Sequence, residues 1–190
     1  MSCFTSFIFY LLYLLSYLTA PIGVLLRKAC WSCYLKALIA SYNMFSTFYD
    51  IFTLRIPGYR EVCMLVSRLA KPPKGECALD VACGTGLVSL LLAESTQEVI
   101  ALDLSPGQVA QLKAKASSRG VSIHLVIGDA RMLPFRARCF SVVTCSGALS
   151  EIAGRELAIS EMCRVLKQGG RTVVMTFDRE RTPLPSSWAY

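Results

Sequence analysis

The chain has 190 residues, enough for one globular domain and some additional segments. Hydrophobic residues make up 54% and charged residues 17%, an apolar balance that is unevenly spread, because Met1 to Leu26 carry no charged side chain and the first acidic residue is Asp50. Residues 50–190 hold all 13 acidic side chains and 17 of the 20 basic ones, a mild, dispersed excess with no Lys/Arg cluster among aromatics, which argues against a nucleic-acid partner.

Residues Phe4 to Leu26 are apolar over a length sufficient to cross a bilayer. No basic residue precedes them, unlike a cleaved signal peptide, so a retained anchor over 1–28 is expected. Arg27, Lys28 and Lys36 follow, which predicts a single-pass membrane protein with its C-terminal domain in the cytosol. Pro21 would kink that helix or end it early. Residues 29–75 read as an amphipathic helical lead-in. Ala29 to Thr53 is aromatic-rich and fits an interfacial or domain-docking helix. Gly58 to Ala70 has Val62, Leu65, Val66 and Leu69 at helical spacing. Lys71 to Gly75 then breaks the chain and opens the main domain, 76–190.

From there apolar strands alternate with helical patterns. Strands are expected at Cys77–Ala82, Glu98–Leu104, Val121–Ile127, Phe140–Cys145 and Arg171–Phe177. Helices are expected at Leu87–Glu94, at Ser105–Ser118 with Ser105 as N-cap and Pro106 at the first position, and at Glu156–Lys167 closed by Gly169 and Gly170. This alternation predicts an α/β fold, a Rossmann-like parallel sheet of about five strands flanked by helices and preceded by a transmembrane or membrane-associated helix.

Nine cysteines are an odd number in a domain too large to need a disulfide framework. Cys83, Cys139, Cys145 and Cys163 lie in or beside apolar runs and read as buried, reduced thiols. Cys30 and Cys33 lack the two further ligands of a zinc site, so thioacylation or a redox pair are the readings left for them. No metal-ligand spacing is visible. The single histidine, His124, sits early in the third strand, away from the edge where ligands bind.

The strongest chemical signal is LDVACGTG, Leu79 to Gly86, at the end of a strand and the start of a helix. Glycines at 84 and 86 let the backbone turn sharply and approach a ligand, and the following helix offers free N–H groups. A dinucleotide fingerprint would want a third glycine where Ser89 stands. Seventeen residues after Gly86 comes Asp103, ending the second strand, where a carboxylate can accept from both hydroxyls of a ribose. Asp129, in the GDA element that ends the third strand, could accept from an adenine amino group. Three such features on successive strand ends point to one ligand at the carboxyl edge of the sheet.

DVACGTG (80–86), ALDLS (101–105), GDARMLPF (128–135), FSVVTCSGAL (140–149) and EMCRVLKQGGRTVVM (161–175) resemble the class I S-adenosylmethionine-dependent methyltransferases, in the expected order over about 77–178. The resemblance implies S-adenosyl-L-methionine as cofactor. Asp80, Ala82, Gly84 and Gly86, with Cys83 and Thr85 of the same loop, would surround its methionine part. Asp103, beside Leu104, would hold the ribose, Asp129 and Ala130 the adenine, and Ser146 would face cofactor and acceptor. Ala82 replaces the family's first loop glycine. Within the class, FYDIFTLRIPGYREV (48–62) is similar to the leading segment of the ubiquinone/menaquinone C-methyltransferases. That group has an Asp where this chain has Leu87, and its signature after the fourth strand is not matched by CSGALSEI.

The resemblance implies methyl transfer by proximity and orientation to a small, lipophilic, quinone- or lipid-like acceptor. Tyr49 and Glu151 are candidates for the acceptor mouth. The family's fold usually continues past the fifth strand, so an open edge is expected there, covered by a partner chain, the N-terminal helices or the membrane. Two other readings stand beside this one. A non-catalytic, membrane-tethered module would keep the fold and bind only cofactor or partner. A nicotinamide oxidoreductase is suggested by the glycine turn alone.

Overall fold

A computed structural model describes residues 31–96 and 98–176. The expected anchor over 1–28, Cys30, and the segment after the fifth strand lie outside the described residues. Among the described residues no helix is long and apolar enough to cross a membrane. The sheet lies in a compact unit, Ser41–Phe177.

Helix α1 (Trp31–Thr53) is followed by α2 (Tyr59–Ala70). Then come β1 (Ala78–Val81), α3 (Leu87–Ala93), β2 (Val99–Asp103), α4 (Pro106–Ser118), β3 (His124–Ile127), β4 (Phe140–Ser146), α5 (Arg155–Val165) and β5 (Leu166–Met175). The five strands form one sheet in the order β3-β2-β1-β4-β5, and every pairing is parallel. The chain winds outward from β1 in one direction, returns, and winds outward through β4 in the other. The carboxyl ends of β1 and β4 therefore flank a topological switch point, where open α/β sheets bind ligands.

Period-2 alternation divides each inner strand between two cores. Leu79, Val81, Leu102, Val143 and Cys145 face α5, meeting Ala158, Met162 and Val165. Ala78, Val99 and Val142 face the other way, against Val66 and Ala70 of α2 and Val88 and Leu92 of α3. Burial on both faces is why β1 and β4 are largely apolar, with the buried Asp80 and Thr144 bonded to each other as the polar exceptions.

Ser105 caps α4 as expected, its hydroxyl accepting from the Gln108 amide at 3.2 Å, with Pro106 in the first turn. Three expectations are corrected. Helix α2 buries Cys63, Val66, Ser67 and Ala70, whereas Val62, Leu65 and Leu69 are exposed. The small residues Ser67 and Ala70 let its axis come close to the sheet, so the bulky stripe turns outward. Helix α5 ends at Val165, because Leu166 is already extended, and the Gly169–Gly170 pair lies inside β5 rather than capping the helix. There the pairing with β4 jumps from Phe140–Leu166 to Val142–Arg171, and a Cβ on Gly170 would meet the Ser141 carbonyl at 2.9 Å, so the glycines form an irregularity in the strand. Cys163 is exposed on α5, while Cys145 is buried and Cys83 and Cys139 are half-buried.

Candidate functional site

The glycine loop sits on the carboxyl end of β1. Gly86 has φ +84° and caps α3, and Gly84 has φ +56°. Ala82 also takes a left-handed conformation, φ +54°, where the resembled family carries glycine. A Cβ at 84 would have only the Gln108 Oε1 within 4 Å, at 3.9 Å, so the backbone there is open to a close neighbour.

Asp103 stands one strand away. Its Oδ2 accepts from the Gly84 amide at 2.8 Å and its Oδ1 from the Ser105 amide at 2.8 Å. Burial pushes this carboxyl above its ordinary range, while the Ser105, Gly84 and Leu104 amides pull it back. Leu104 is half-buried beside it. The Gly128 amide donates to the Asp103 carbonyl at 3.0 Å, which fixes the GDA element against the end of β2. Gly84, Asp103 and the 128–130 segment thus stand on three neighbouring strand ends. Asp129 is held by Arg131, whose Nη2 donates to Oδ2 at 2.6 Å and whose Nε donates to both oxygens. That guanidinium holds the carboxyl below the usual range. Ala130 is buried.

Asp80 lies beneath the loop. It is 1% exposed, and its two oxygens accept from the Ser89 hydroxyl at 2.6 Å and the Thr144 hydroxyl at 2.7 Å. It therefore ties β1 to α3 and β4. Ser89, the residue that breaks the dinucleotide fingerprint, is the donor that a buried carboxylate at this place requires. Burial pushes Asp80 up to about 6, against the pull of its two hydroxyl donors. A folded-state value raised above the unfolded one means that the neutral acid favours the fold. Its stabilising contribution is complete below about pH 4 and is lost as pH rises through about 6. Asp80→Asn removes this dependence. Between pH 4 and 7 its stability, from urea unfolding, is expected to gain about 2–3 kcal/mol relative to the parent chain. Parallel pH profiles would place the charge elsewhere.

The second half of α1 lies over these loops, as the domain-docking alternative for Ala29–Thr53 expected, through polar contacts that periodicity could not assign. The Asn43 side-chain oxygen accepts from the Ser105 hydroxyl at 2.7 Å and the Gly107 amide at 2.8 Å. A Cβ on Gly107 would meet the Asn43 Cα at 2.9 Å, so glycine is what admits the helix. Asp50 accepts from the buried Thr85 hydroxyl of the glycine loop and pairs with Lys115 of α4 at 2.7 Å. The only sign of this in the sequence is that Asp50 is the sole acid among the first sixty residues.

Tyr49 is pushed up to about 12, by burial first and then by the negative charge of Asp103, Asp50, Cys63 and Glu151. Tyr49 therefore stands within electrostatic range both of Asp103 and of Glu151, the other acceptor-mouth candidate. Ser146, at the tip of β4, has its hydroxyl 4.0 Å from the Cys63 thiol of α2. Cys83 donates its thiol to the Gly84 carbonyl at 3.5 Å and is driven well above its ordinary value by burial.

Gln108, also unassigned from sequence, is 1% exposed, and neither its side-chain nitrogen Nε2 nor its side-chain oxygen Oε1 has a partner. An orphaned carboxamide under an open glycine, a carboxylate at the next strand end and a carboxylate at the third form a donor and acceptor set that fits an adenosyl ligand carrying an amino-acid tail. Among the described residues no group of three or more His, Cys, Asp or Glu is placed to hold a metal ion.

Comparison with known proteins accords with this geometry. Residues 78–170 match the family described as "Methyltransferase domain". The demethylmenaquinone methyltransferase of Thermus thermophilus is 39% identical over 111 residues, 57% of this chain and 50% of that protein. The ubiquinone/menaquinone biosynthesis C-methyltransferase of Francisella tularensis subsp. novicida is 34% identical over 118 residues, 60% of this chain and 47% of that protein. The chain thus spans about half the length of the curated relatives it matches. Among solved structures, an S-adenosylmethionine-dependent methyltransferase from Clostridium acetobutylicum superimposes with a TM-score of 0.56 at 22% identity, covering 70% of this chain and 56% of that one, a likeness of fold. The parallel sheet, its glycine loop at the switch point and the match over residues 78–170 together give this segment the fold and the sequence character of a methyltransferase domain.

Proposed function

We propose that this chain is an S-adenosylmethionine-dependent methyltransferase acting on a small, lipophilic, quinone-like acceptor taken from a membrane. The observation that carries the reading is the convergence of the glycine loop, Asp103 and the 128–130 segment at one sheet edge, roofed by α1. The quinone-like class is supported by the names of the relatives and by the Tyr-Asp pair at 49–50, which the sequence shares with that group.

When bound, S-adenosylmethionine supplies a methyl group activated by its sulfonium. The residues of this chain would bind and orient. Asp103 would accept from the ribose hydroxyls, Asp129 and Ala130 would border the adenine, and Asp80, Ala82, Cys83, Gly84, Thr85 and Gly86 would form or support the cradle for the methionine end. Ser146 would stand between cofactor and acceptor. Tyr49, pushed up to about 12, stays protonated at neutral pH, so it serves as a hydrogen-bond donor to an acceptor oxygen rather than as a base. Methylation at carbon forms a carbon–carbon bond, breaks the carbon–sulfur bond and leaves a proton on the acceptor. The Glu151 carboxylate is the group near Tyr49 that could take it. The remaining catalytic effect is alignment of two reactants in a site shielded from water.

The apolar run over 4–26 and the basic residues after it support a single-pass anchor with the domain on the cytosolic side. In the test, the full-length chain in vesicles is given methyl-labelled cofactor and a demethylated naphthoquinone bearing a polyprenyl tail. Label in the lipid-soluble product is the expected result. A folded chain that binds cofactor yet leaves the quinone unlabelled would overturn the quinone-like reading and favour the non-catalytic module.

A further inference from the structure

Helix α1 is two-faced in an unusual sense. The side it turns to the glycine loop and the start of α4 makes polar contacts, through Asn43 and Asp50. A separate, solvent-facing stripe carries Met44, Phe48 and Ile51 at spacings of four and three, 67%, 53% and 47% exposed, and Leu54 just past the helix end is 48% exposed. An ordinary surface helix buries its apolar stripe and shows its polar one. Charge adds a second observation. The exposed charges from Ser41 to Arg60 are the basic Arg55 and Arg60, while the only acid there, Asp50, is turned to Thr85 and Lys115. A third comes from chain order, since only residues 27–30, two of them basic, separate the apolar run 4–26 from the start of α1.

We propose that the Met44–Phe48–Ile51 stripe, continued by Leu54, docks into the interface of a phospholipid bilayer with anionic headgroups. This rests on the reading of a membrane-derived acceptor and adds the surface by which the enzyme meets it. Large apolar side chains enter the headgroup–acyl boundary, and arginines beside them meet the negative surface potential. The same helix holds the glycine loop through Asp50 and the start of α4 through Asn43. Docking therefore sets the cofactor edge at the depth where a lipophilic acceptor resides, and the acceptor need not cross water to reach the site.

The test uses the full-length chain with Trp31→Phe, Trp188→Phe and Phe48→Trp, in vesicles of phosphatidylcholine and phosphatidylserine with or without brominated acyl chains. The bromines should remove roughly half of the indole emission at 48 or more, with weaker quenching when phosphatidylserine is omitted or Arg55 and Arg60 are changed to glutamate. Arg119→Trp, at the far end of α4, should be unaffected. If Phe48→Trp fails to fold, Ile51→Trp serves in its place. Unquenched indole in a chain that still floats with the vesicles overturns the docking surface alone, and is the outcome expected if residues 4–26 or a second copy cover the stripe. A chain that does not float overturns both the docking surface and the membrane reading.

Discussion

Gly86→Ala is expected to destabilise the fold by about 2–4 kcal/mol, the sum of a left-handed backbone penalty and overpacking. The residue sits at φ +84° as the N-cap of α3. A Cβ there would stand 2.2 Å from Cδ1 of Leu112 and 2.7 Å from its Cδ2. Leu112 has no exposed surface and packs with Leu90, Ala101 and Ala116, so it cannot swing aside without opening the core between α3 and α4. Gly84→Ala is the control. Its backbone is also left-handed, φ +56°, but its added methyl would meet only the Gln108 side-chain oxygen, at 3.9 Å. It should cost about 1 kcal/mol, the backbone term alone. Thermal unfolding of the two variants separates the contributions. Equal melting temperatures would mean that the loop relaxes around Leu112 and that packing at 86 is not what requires glycine.

That contrast shows what kind of information the sequence held. The glycine loop, the Ser105 cap and the apolar strands were legible because each is local, arising from backbone freedom, one side chain reaching three residues along, or side-chain alternation. The strand ends carrying Asp103 and Asp129 followed from the strand assignments. What escaped depends on contacts between distant segments. Ser89 reads as a departure from a glycine fingerprint until Asp80 and Thr144 are seen on either side of it. Asn43 and Asp50 sit in an aromatic-rich helix with nothing to say which face meets the sheet. For α2, periodicity located a helix, but of its apolar stripe only Val66 is buried, because Val62, Leu65 and Leu69 are more hydrophobic than the Cys63, Ser67 and Ala70 that are buried with it. Hydrophobicity ranks a face by its gain on leaving water, whereas close approach to a sheet selects small side chains. The Gly169–Gly170 pair was misplaced for a similar reason, since a glycine after a helix is usually its cap and only the β4 partner reveals an irregular strand.

Loss of the Asp103 carboxylate is expected to weaken S-adenosylmethionine binding by about 1–3 kcal/mol, roughly a 5- to 150-fold rise in Kd, because ribose hydroxyls would be buried without acceptors. The residue also accepts from the Gly84 and Ser105 amides, so Asp103→Ala would loosen the loop as well as remove a ligand contact. Calorimetric titration of that variant alone confuses the two effects. Asp103→Asn retains one oxygen for an amide and preserves shape, and its melting temperature reports how much of the loop survives. The decisive measurement is a double-mutant cycle in which the second change is made to the ligand, with a 2′,3′-dideoxy analogue of the cofactor in place of a protein substitution. If Asp103 reads the ribose, the analogue loses affinity for the parent chain and loses little more for the variant. If Asp103 only shapes the loop, the two losses add. Burial raises this carboxyl while three amides hold it ionised, so the parent chain should also lose cofactor affinity as pH falls into the range where Asp103 takes up a proton, and Asp103→Asn should not.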